Sequence, residues 1–226
     1  MSAFAETMFL TFKVAFVTTI ILLFIGIALA YFVANMKSRF RAVLEAVISM
    51  PLVLPPSVLG FYLLVAFSPR NFFGAFLDEV FDVRLVFTFE GLIIGSVLFS
   101  LPFMVHPIQS GFASLSGSLR EAAATLGVGK MRTLFCVLLP NMKSSILTGT
   151  VLTFAHTVGE FGVVLMIGGS IPGQTKVASI SIYQEVESLN YAAAHEYAFT
   201  LFIITFALLL AVYIINHKFF STSSVI

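Results

Sequence analysis

Five long apolar stretches, separated by short polar segments, dominate the pattern of the chain. They cover residues 7–34, 43–67, 85–111, 144–171 and 198–215. The first four carry one charged residue each and the fifth carries none. A helix that crosses a bilayer core of about 30 Å needs roughly 20 such residues at a rise of about 1.5 Å each. The pattern therefore predicts an all-α, polytopic membrane protein with five transmembrane helices.

The composition supports a membrane protein and excludes several other classes. Of 226 residues, 59% are hydrophobic and 10% are charged, whereas about a quarter of a soluble domain is charged. The net charge of +1 gives no reason to expect nucleic acid or an acidic substrate. A single cysteine, Cys136, excludes an intramolecular disulfide and is expected to be a small buried side chain. Four scattered histidines lack metal-ligand spacing.

Basic residues near the ends of the stretches predict the orientation of the chain. Lys and Arg accumulate on the cytoplasmic side of membrane proteins. One set of flanks contains Lys37, Arg39, Arg41, Arg120, Lys130, Arg132, Lys143 and Lys218. The opposite set contains Arg70, Arg84 and Lys176. The N-terminus is thus expected outside and the C-terminus inside, with residues 1–226 forming one transmembrane domain and a cytoplasmic loop at about 114–141.

The cytoplasmic loop has the pattern of two short helices that meet at a glycine. An acid at Glu121 suits the first turn of a helix, and Gly127 suits a stop or tight turn. A second helix is expected from Lys130, limited by Pro140. The string around Gly129 fails as a phosphate loop, because its first glycine and its final Ser or Thr are missing. We therefore expect a compact protein-docking element, and no ATP site on this chain.

The same loop resembles the EAA motif of permease subunits of ABC importers. Glu121-Ala122-Ala123, Gly127 and Leu139-Pro140 stand at the motif's spacing, with Val137 in place of the usual Ile. The resemblance implies the type I ABC importer permease fold. It also implies that these residues form the coupling helix that sits in a cleft of a separate ATPase subunit.

Two further stretches resemble the molybdate permeases of the ModB type. They are residues 50–60, and Gly159-Glu160-Phe161-Gly162 followed by residues 171–175. Sulfate and thiosulfate permeases are similar around the second stretch. The resemblance implies import of molybdate, or tungstate, across a bacterial or archaeal inner membrane. It further implies a homodimer, two ATPases that hold ATP and magnesium, an external binding protein, and no cofactor on this chain.

Polar and proline residues inside the apolar stretches are candidates for the translocation path or its gate. Pro51, Pro55 and Pro56 are each expected to kink or break the second span, which favours backbone that faces protein or a water-filled cavity. Ser57 beside them, and Ser100 and Thr157 elsewhere, are candidate lining hydroxyls.

His156 and Glu160 are expected on one helical face of the fourth span, since they are four residues apart. An ionisable residue at this depth is a functional candidate. A carboxylate is a poor ligand for a dianion, which favours Glu160 as a hydrogen-bond acceptor that fixes a packing surface at Gly159 and Gly162. A protonated His156 would attract an anion.

Three other functions compete with molybdate import. A sulfate or thiosulfate permease would share the same fold. A passive anion channel would conduct without nucleotide, and the coupling loop argues against it. An intramembrane enzyme would use His156 and Glu160 as a general base pair, yet no nucleophile or third ligand stands at matching spacing.

Overall fold

A computed structural model describes residues 2–36 and 38–222, with side chains described as far as residue 215. The described part is helical and contains no β-strand. Lys37 and the side chain of Lys218, two of the basic residues that indicate orientation, lie outside the described part.

Three helices are long and apolar enough to cross a membrane without a break. They are α1 (Ala3–Asn35), α5 (Phe89–Ser114) and α11 (Tyr191–Thr222). They confirm the first, third and fifth predicted stretches as helices. α5 begins later than the apolar pattern because Thr88 caps it, its Oγ1 accepting the N–H of Gly91 at 3.2 Å.

The second predicted span is two helices that meet at a sharp bend. α2 (Phe40–Val53) and α3 (Pro56–Phe67) differ in direction by 109°. Leu54 and Pro55 between them have extended backbone. Proline supplies no N–H and disfavours helical backbone in the residue before it. The break expected at Pro55 and Pro56 is therefore confirmed, whereas Pro51 lies inside α2 and does not end it.

The fourth predicted span is also interrupted, which the apolar pattern did not predict. α8 (Lys143–Gly159) ends at Glu160, whose φ of −69° and ψ of 135° are extended, and α9 (Gly162–Gly168) follows. On its other side, α8 bends by 79° from α7 (Lys130–Asn141), and this pair also has the length and apolarity of a span. Five crossings result if each bent pair is one span.

Three shorter helices complete the described chain. α10 lies within the segment after α9, and α6 belongs to the expected cytoplasmic loop. Their bounds are Phe72–Phe81 for α4, Gly117–Thr125 for α6 and Ala178–Glu187 for α10. α6 begins at Gly117 rather than at Glu121, because Ser116 caps it through the N–H of Ser118 at 3.3 Å.

α5 is the central helix and packs against α1, α2, α8 and α9. Its Met104, Val105 and Ile108 are fully buried in a core shared with Leu22 of α1 and Ile48 of α2. Ser96 and Ser100 on the same helix are also fully buried. Buried hydroxyls need hydrogen-bond partners, so polar groups of neighbouring helices are expected beside these two serines.

The two ends of α1 lie beside different polar segments. Near its start, Thr11 Oγ1 accepts the N–H of Ala178 at 2.8 Å, which joins α1 to α10. At its end, Asn35 Oδ1 accepts a hydrogen bond from Arg120 of α6 at 2.9 Å. The loop before α10 and the expected coupling loop therefore lie at opposite ends of α1.

Candidate coupling surface and interior polar site

The turn between α6 and α7 has a fixed backbone geometry that requires glycine. Gly127 has a φ of +70°. Its N–H donates to Ala124 O at 3.0 Å, and the N–H of Val128 donates to Ala123 O at 2.9 Å. These two bonds form a Schellman motif, in which the left-handed residue is usually glycine. The spacing between Glu121-Ala-Ala and Gly127 is thus that of a two-turn helix and its terminating residue.

α7 widens into a π-helical turn over Leu134–Leu138 before it reaches Pro140. The N–H of Leu139 donates to Leu134 O, five residues back. Pro140, the next residue, has no N–H and donates to no carbonyl of the preceding turn. Leu139 is partly buried and Pro140 is exposed.

The outer side of α6 and α7 exposes large apolar side chains. Leu126 is 81% exposed, Met131 64% and Phe135 58%. We call these three side chains, with the adjacent Cys136, the coupling surface. Cys136 is exposed, so the expectation of a buried cysteine was wrong. Apolar groups that a helical hairpin displays together make this surface a candidate for contact with another molecule.

The residues of the EAA-like motif divide between this outer side and the body of the protein. Glu121 and Ala122 are exposed, whereas Ala123 is 5% exposed and faces inward. A crevice of about 370 Å³ separates α6 and α7 from the end of α1, and Tyr31, Asn35 and Arg120 are among its lining residues. The motif therefore displays Glu121 and Ala122 to the outside and buries Ala123.

A polar cluster in the interior joins α5 to α8 and to the break after α8. Ser100 Oγ lies 3.0 Å from His156 Nδ1 and 2.9 Å from Thr157 Oγ1. The Thr157 hydroxyl is also 2.8 Å from Thr153 O. His156 stacks on Phe103, with ring centroids 3.9 Å apart. The predicted candidates Ser100, His156 and Thr157 are thus in direct contact.

Glu160 is held by three neighbouring segments. It is 4% exposed, and its Oε2 accepts the Ser96 hydroxyl of α5 at 3.1 Å. Its backbone oxygen accepts Ser179 of α10 at 2.5 Å. Oε1 has no partner within hydrogen-bond geometry, although the backbone N–H groups of Val163 and Val164 at the start of α9 approach the carboxylate. The acceptor role expected for Glu160 is therefore present.

The expected pairing of His156 with Glu160 is wrong. α8 ends at Gly159, so the two residues do not share a helical face. His156 bonds to Ser100 and Glu160 to Ser96, which separates them along α5. In the described part of the chain, no hydrogen bond joins His156 to Glu160.

A cavity of about 690 Å³ adjoins this cluster. His156 and Glu160 line it from one side, and Pro56 and Ser57 at the start of α3 line it from the other. Pro55, Pro56 and Ser57 are exposed in the single chain. The cavity thus brings the second-span and fourth-span candidates together at the two broken helices.

Only one of the two glycines beside Glu160 forms a packing surface. A Cβ on Gly162 would lie 2.6 Å from Cβ of Pro56, whereas a Cβ on Gly159 would have open space. Gly162 therefore permits the contact between α9 and α3, as expected, and the expectation for Gly159 was wrong.

Sequence reasoning missed Ser96 and a second polar cluster at the junction of α2 and α5. In that cluster, Glu45 Oε1 accepts hydrogen bonds from Arg41 at 3.0 Å and Gln109 at 2.6 Å, and Ser49 lies 3.1 Å from His106. The signal for Ser96 was its spacing, since Ser96 and Ser100 are four residues apart on one span.

Comparison with known proteins gives a consistent family. The model for "Binding-protein-dependent transport system inner membrane component" matches residues 22–222. The molybdenum transport system permease protein ModB of Azotobacter vinelandii is 43% identical over 90% of both chains. The sulfate transport system permease protein CysT of Salmonella typhimurium is 30% identical over 92% of this chain and 75% of that one.

A solved structure confirms the fold class. A chain of the MetNI methionine ABC transporter, described in inward-facing conformations, superposes with a TM-score of 0.72. It covers 95% of this chain and 94% of that one at 15% identity. The type I ABC importer permease fold expected from the motif is therefore confirmed, as is a separate subunit for ATP hydrolysis. The chain belongs to the family of inner-membrane permease components of binding-protein-dependent ABC importers.

Proposed function

We propose that this permease imports molybdate. The observation that carries the proposal is the 43% identity to a molybdenum permease across nine-tenths of both chains, against 30% to a sulfate permease. Tungstate, a tetrahedral dianion of nearly the same size, is expected to use the same path.

Sulfate import is the second candidate, because the sulfate permease aligns over 92% of this chain. The two candidates share the fold, the coupling surface and a tetrahedral dianion as cargo. They differ in the size of the anion, so direct competition between the anions separates them.

The proposed assembly is a homodimer with two ATPase subunits, which carry the ATP and magnesium, and an external binding protein. The coupling surface supports a cytoplasmic contact with the ATPase, since its apolar side chains stand outside the helix bundle. α7 leads into α8 through Met142 alone. A displacement of the docked hairpin would thus act directly on the helix that carries His156 and Thr157.

The proposed path runs along the 690 Å³ cavity, where Ser57, His156 and Glu160 meet. Pro55 and Pro56 supply the break that allows α3 and α9 to form one side of this cavity. Ser100 and Thr157 stand behind His156 and contact it or each other. The chain performs no covalent chemistry in this scheme, and closure of the ATPases provides the work of transport.

Nucleotide-dependent uptake by the reconstituted complex tests the substrate. Permease, ATPase and binding protein in proteoliposomes would be supplied with labelled molybdate, tungstate or sulfate, with and without internal ATP. We expect ATP-dependent uptake of molybdate and tungstate that excess sulfate inhibits weakly. Preferred uptake of sulfate would overturn the substrate, and uptake without ATP would favour a passive channel.

The single cysteine tests the orientation. Cys136 is exposed on the coupling surface and is the only thiol in the sequence. With the N-terminus outside and this loop in the cytoplasm, an impermeant maleimide should label inverted membrane vesicles and spare right-side-out vesicles. The opposite pattern would reverse the proposed orientation.

A further inference from the structure

The contacts of His156 limit how its ring can meet a ligand. Nδ1 bonds to Ser100, which is fully buried in α5. Nε2 has no hydrogen-bond partner among the described residues and is not fully buried. His156 is partly exposed and lines the 690 Å³ cavity. Nε2 is thus the ring nitrogen available to a molecule in the cavity, and the ring plane is fixed by stacking on Phe103.

The hydroxyl chain behind the ring admits two hydrogen-bond orders. In the first, Thr157 donates to Thr153 O, Ser100 donates to Thr157, and Nδ1–H donates to Ser100. Neutral His156 then presents a bare Nε2, which repels an anion. In the second order, Thr157 donates to Ser100 and Ser100 donates to Nδ1, so the ring proton resides on Nε2.

The two orders contain the same number of protons. The hydroxyl hydrogens rotate, and the ring changes tautomer when the Nδ1–Ser100 bond opens to water: Nε2 takes one proton from water and Nδ1 returns one to water. No charge is created, whereas an imidazolium among Phe99, Phe103 and the apolar helices would be a buried charge. The Glu160 carboxylate is held by Ser96 through Oε2 and approached by the first turn of α9, and no hydrogen bond joins it to His156 in the described part of the chain, although its Oε1 has no partner.

We propose that His156 binds the transported oxyanion as a neutral donor through Nε2–H, and that Ser100 and Thr157 are positioning residues that set this tautomer. The inference rests on the proposed function and names the group of the path that contacts the anion. A preorganised N–H donor beside apolar side chains such as Phe99 and Phe103 binds an anionic oxygen more strongly than it does in water. The site would accept any tetrahedral oxyanion that fits, while the binding protein selects among them.

Nitrogen NMR of the histidine rings tests the tautomer directly. The complex in proteoliposomes, with ¹⁵N-labelled histidine, would be measured with and without sodium molybdate, and His156→Phe would identify the His156 signals. We expect a protonated Nε2 and an unprotonated Nδ1 when molybdate is present. A hydrogen on Nδ1 with a bare Nε2, or protonation of both nitrogens, in the presence of molybdate would overturn the inference.

Uptake by matched variants tests the roles of the three residues. His156→Phe keeps the stacked ring and should lower molybdate uptake about tenfold or more, the effect expected for a lost hydrogen bond to an anion. His156→Gln, which places an amide donor near the position of Nε2, should restore part of the rate. Ser100→Ala and Thr157→Val should lower uptake about threefold to fivefold.

Thr153→Val is the matched control. Its Oγ1 is buried without a partner one turn before Thr157, and only its backbone oxygen contacts the hydroxyl chain. Wild-type uptake in Thr153→Val, with losses in Thr157→Val, would support the inference. Equal effects in both variants would overturn it. If the wild-type complex imports sulfate instead of molybdate, the proposed substrate fails, and the same spectra with sulfate still test His156.

Discussion

The coupling surface is shaped by hydrogen bonds between near neighbours in the chain, whereas the interior polar cluster is shaped by partners that are distant in sequence. On α6 and α7 the geometry is local, since the turn at Gly127 uses hydrogen bonds that span three and five residues. In the interior the geometry depends on partners 56 and 64 residues away, as in His156 with Ser100 and Glu160 with Ser96. A turn held by its own backbone can form on the exposed surface, whereas residues distant in sequence are brought together only by the packing of the helices that carry them. Changes in the first region should therefore disturb assembly, and changes in the second should disturb stability and transport.

The largest effect is expected from charge and bulk at the coupling hairpin. Gly127→Arg places a side chain on a backbone of φ +70°, and Glu121→Lys reverses an exposed charge of the motif. We expect both changes to abolish uptake and co-purification with the ATPase, while membrane insertion stays normal. The measurements are uptake in proteoliposomes, pull-down of the ATPase and membrane fractionation.

Gly129→Ala is the control for Gly127→Ala. A Cβ has open space at both positions, but Gly129 has a φ of −62°. Only Gly127→Ala should weaken ATPase binding. Normal co-purification after both Gly127→Arg and Glu121→Lys would contradict the assignment of this hairpin to the ATPase contact.

Removal of the Glu160 side chain is expected to have the next largest effect, on stability. Glu160→Ala leaves the buried Ser96 hydroxyl without its acceptor and the start of α9 without a nearby carboxylate. The free energy of unfolding should fall by about 2–3 kcal/mol. Thermal unfolding of the detergent-solubilised protein measures this loss.

Glu160→Gln separates the acceptor from the charge, because an amide oxygen can still accept Ser96. It should retain most of the stability, and Glu79→Ala at an exposed position should retain all of it. A fully stable Glu160→Ala would show that the interior is not held by this contact.

The contact between the two broken helices should respond to a single methyl group. Gly162→Ala places a Cβ 2.6 Å from Pro56, so α9 and α3 must separate, at a cost of about 1–2 kcal/mol. Gly159→Ala, with open space around its Cβ, should be neutral. Thermal unfolding and uptake of the two variants would be compared. Equal results would show that the contact between α3 and α9 does not depend on Gly162.

The smallest effect is expected at the junction of α2 and α5. Arg41 and Glu45 are 45% and 34% exposed in their side chains, and Glu45 retains Gln109 as a donor when Arg41 is removed. Arg41→Gln should therefore change the free energy of unfolding by about 0.5 kcal/mol or less. A larger loss in the same thermal measurement would show that this cluster stabilises the fold more than its exposure suggests.

The same division explains what the sequence could predict. The hairpin was predicted because glycine, proline and a helix-starting acid act on their own neighbours, and the break at Pro55 follows from the chemistry of proline. The break at Glu160 was missed because Gly159-Glu160-Phe161-Gly162 contains no residue that forbids a helix. It arises from Ser96, Ser179 and the close approach of Pro56, all distant in sequence.

The partners of His156 were missed for the same reason. A spacing of four residues suggested Glu160, and nothing in the fourth span pointed to Ser100 in the third. Cys136 was expected to be buried because its neighbours are apolar, but those neighbours form an exposed surface on α7. Apolar character alone does not distinguish a core from a docking surface.

The bend of 109° between α2 and α3 divides one span into two helices that pack on different neighbours. α2 packs on α5, whereas α3 packs chiefly on α9, itself cut off from α8 by Glu160. No helical hydrogen bond crosses Pro55, so a rotation of α2 is poorly transmitted to α3. Because α9 itself packs on α5, the position of α3 depends on α9 and α5 rather than on α2, so α2 can change direction without carrying α3 with it.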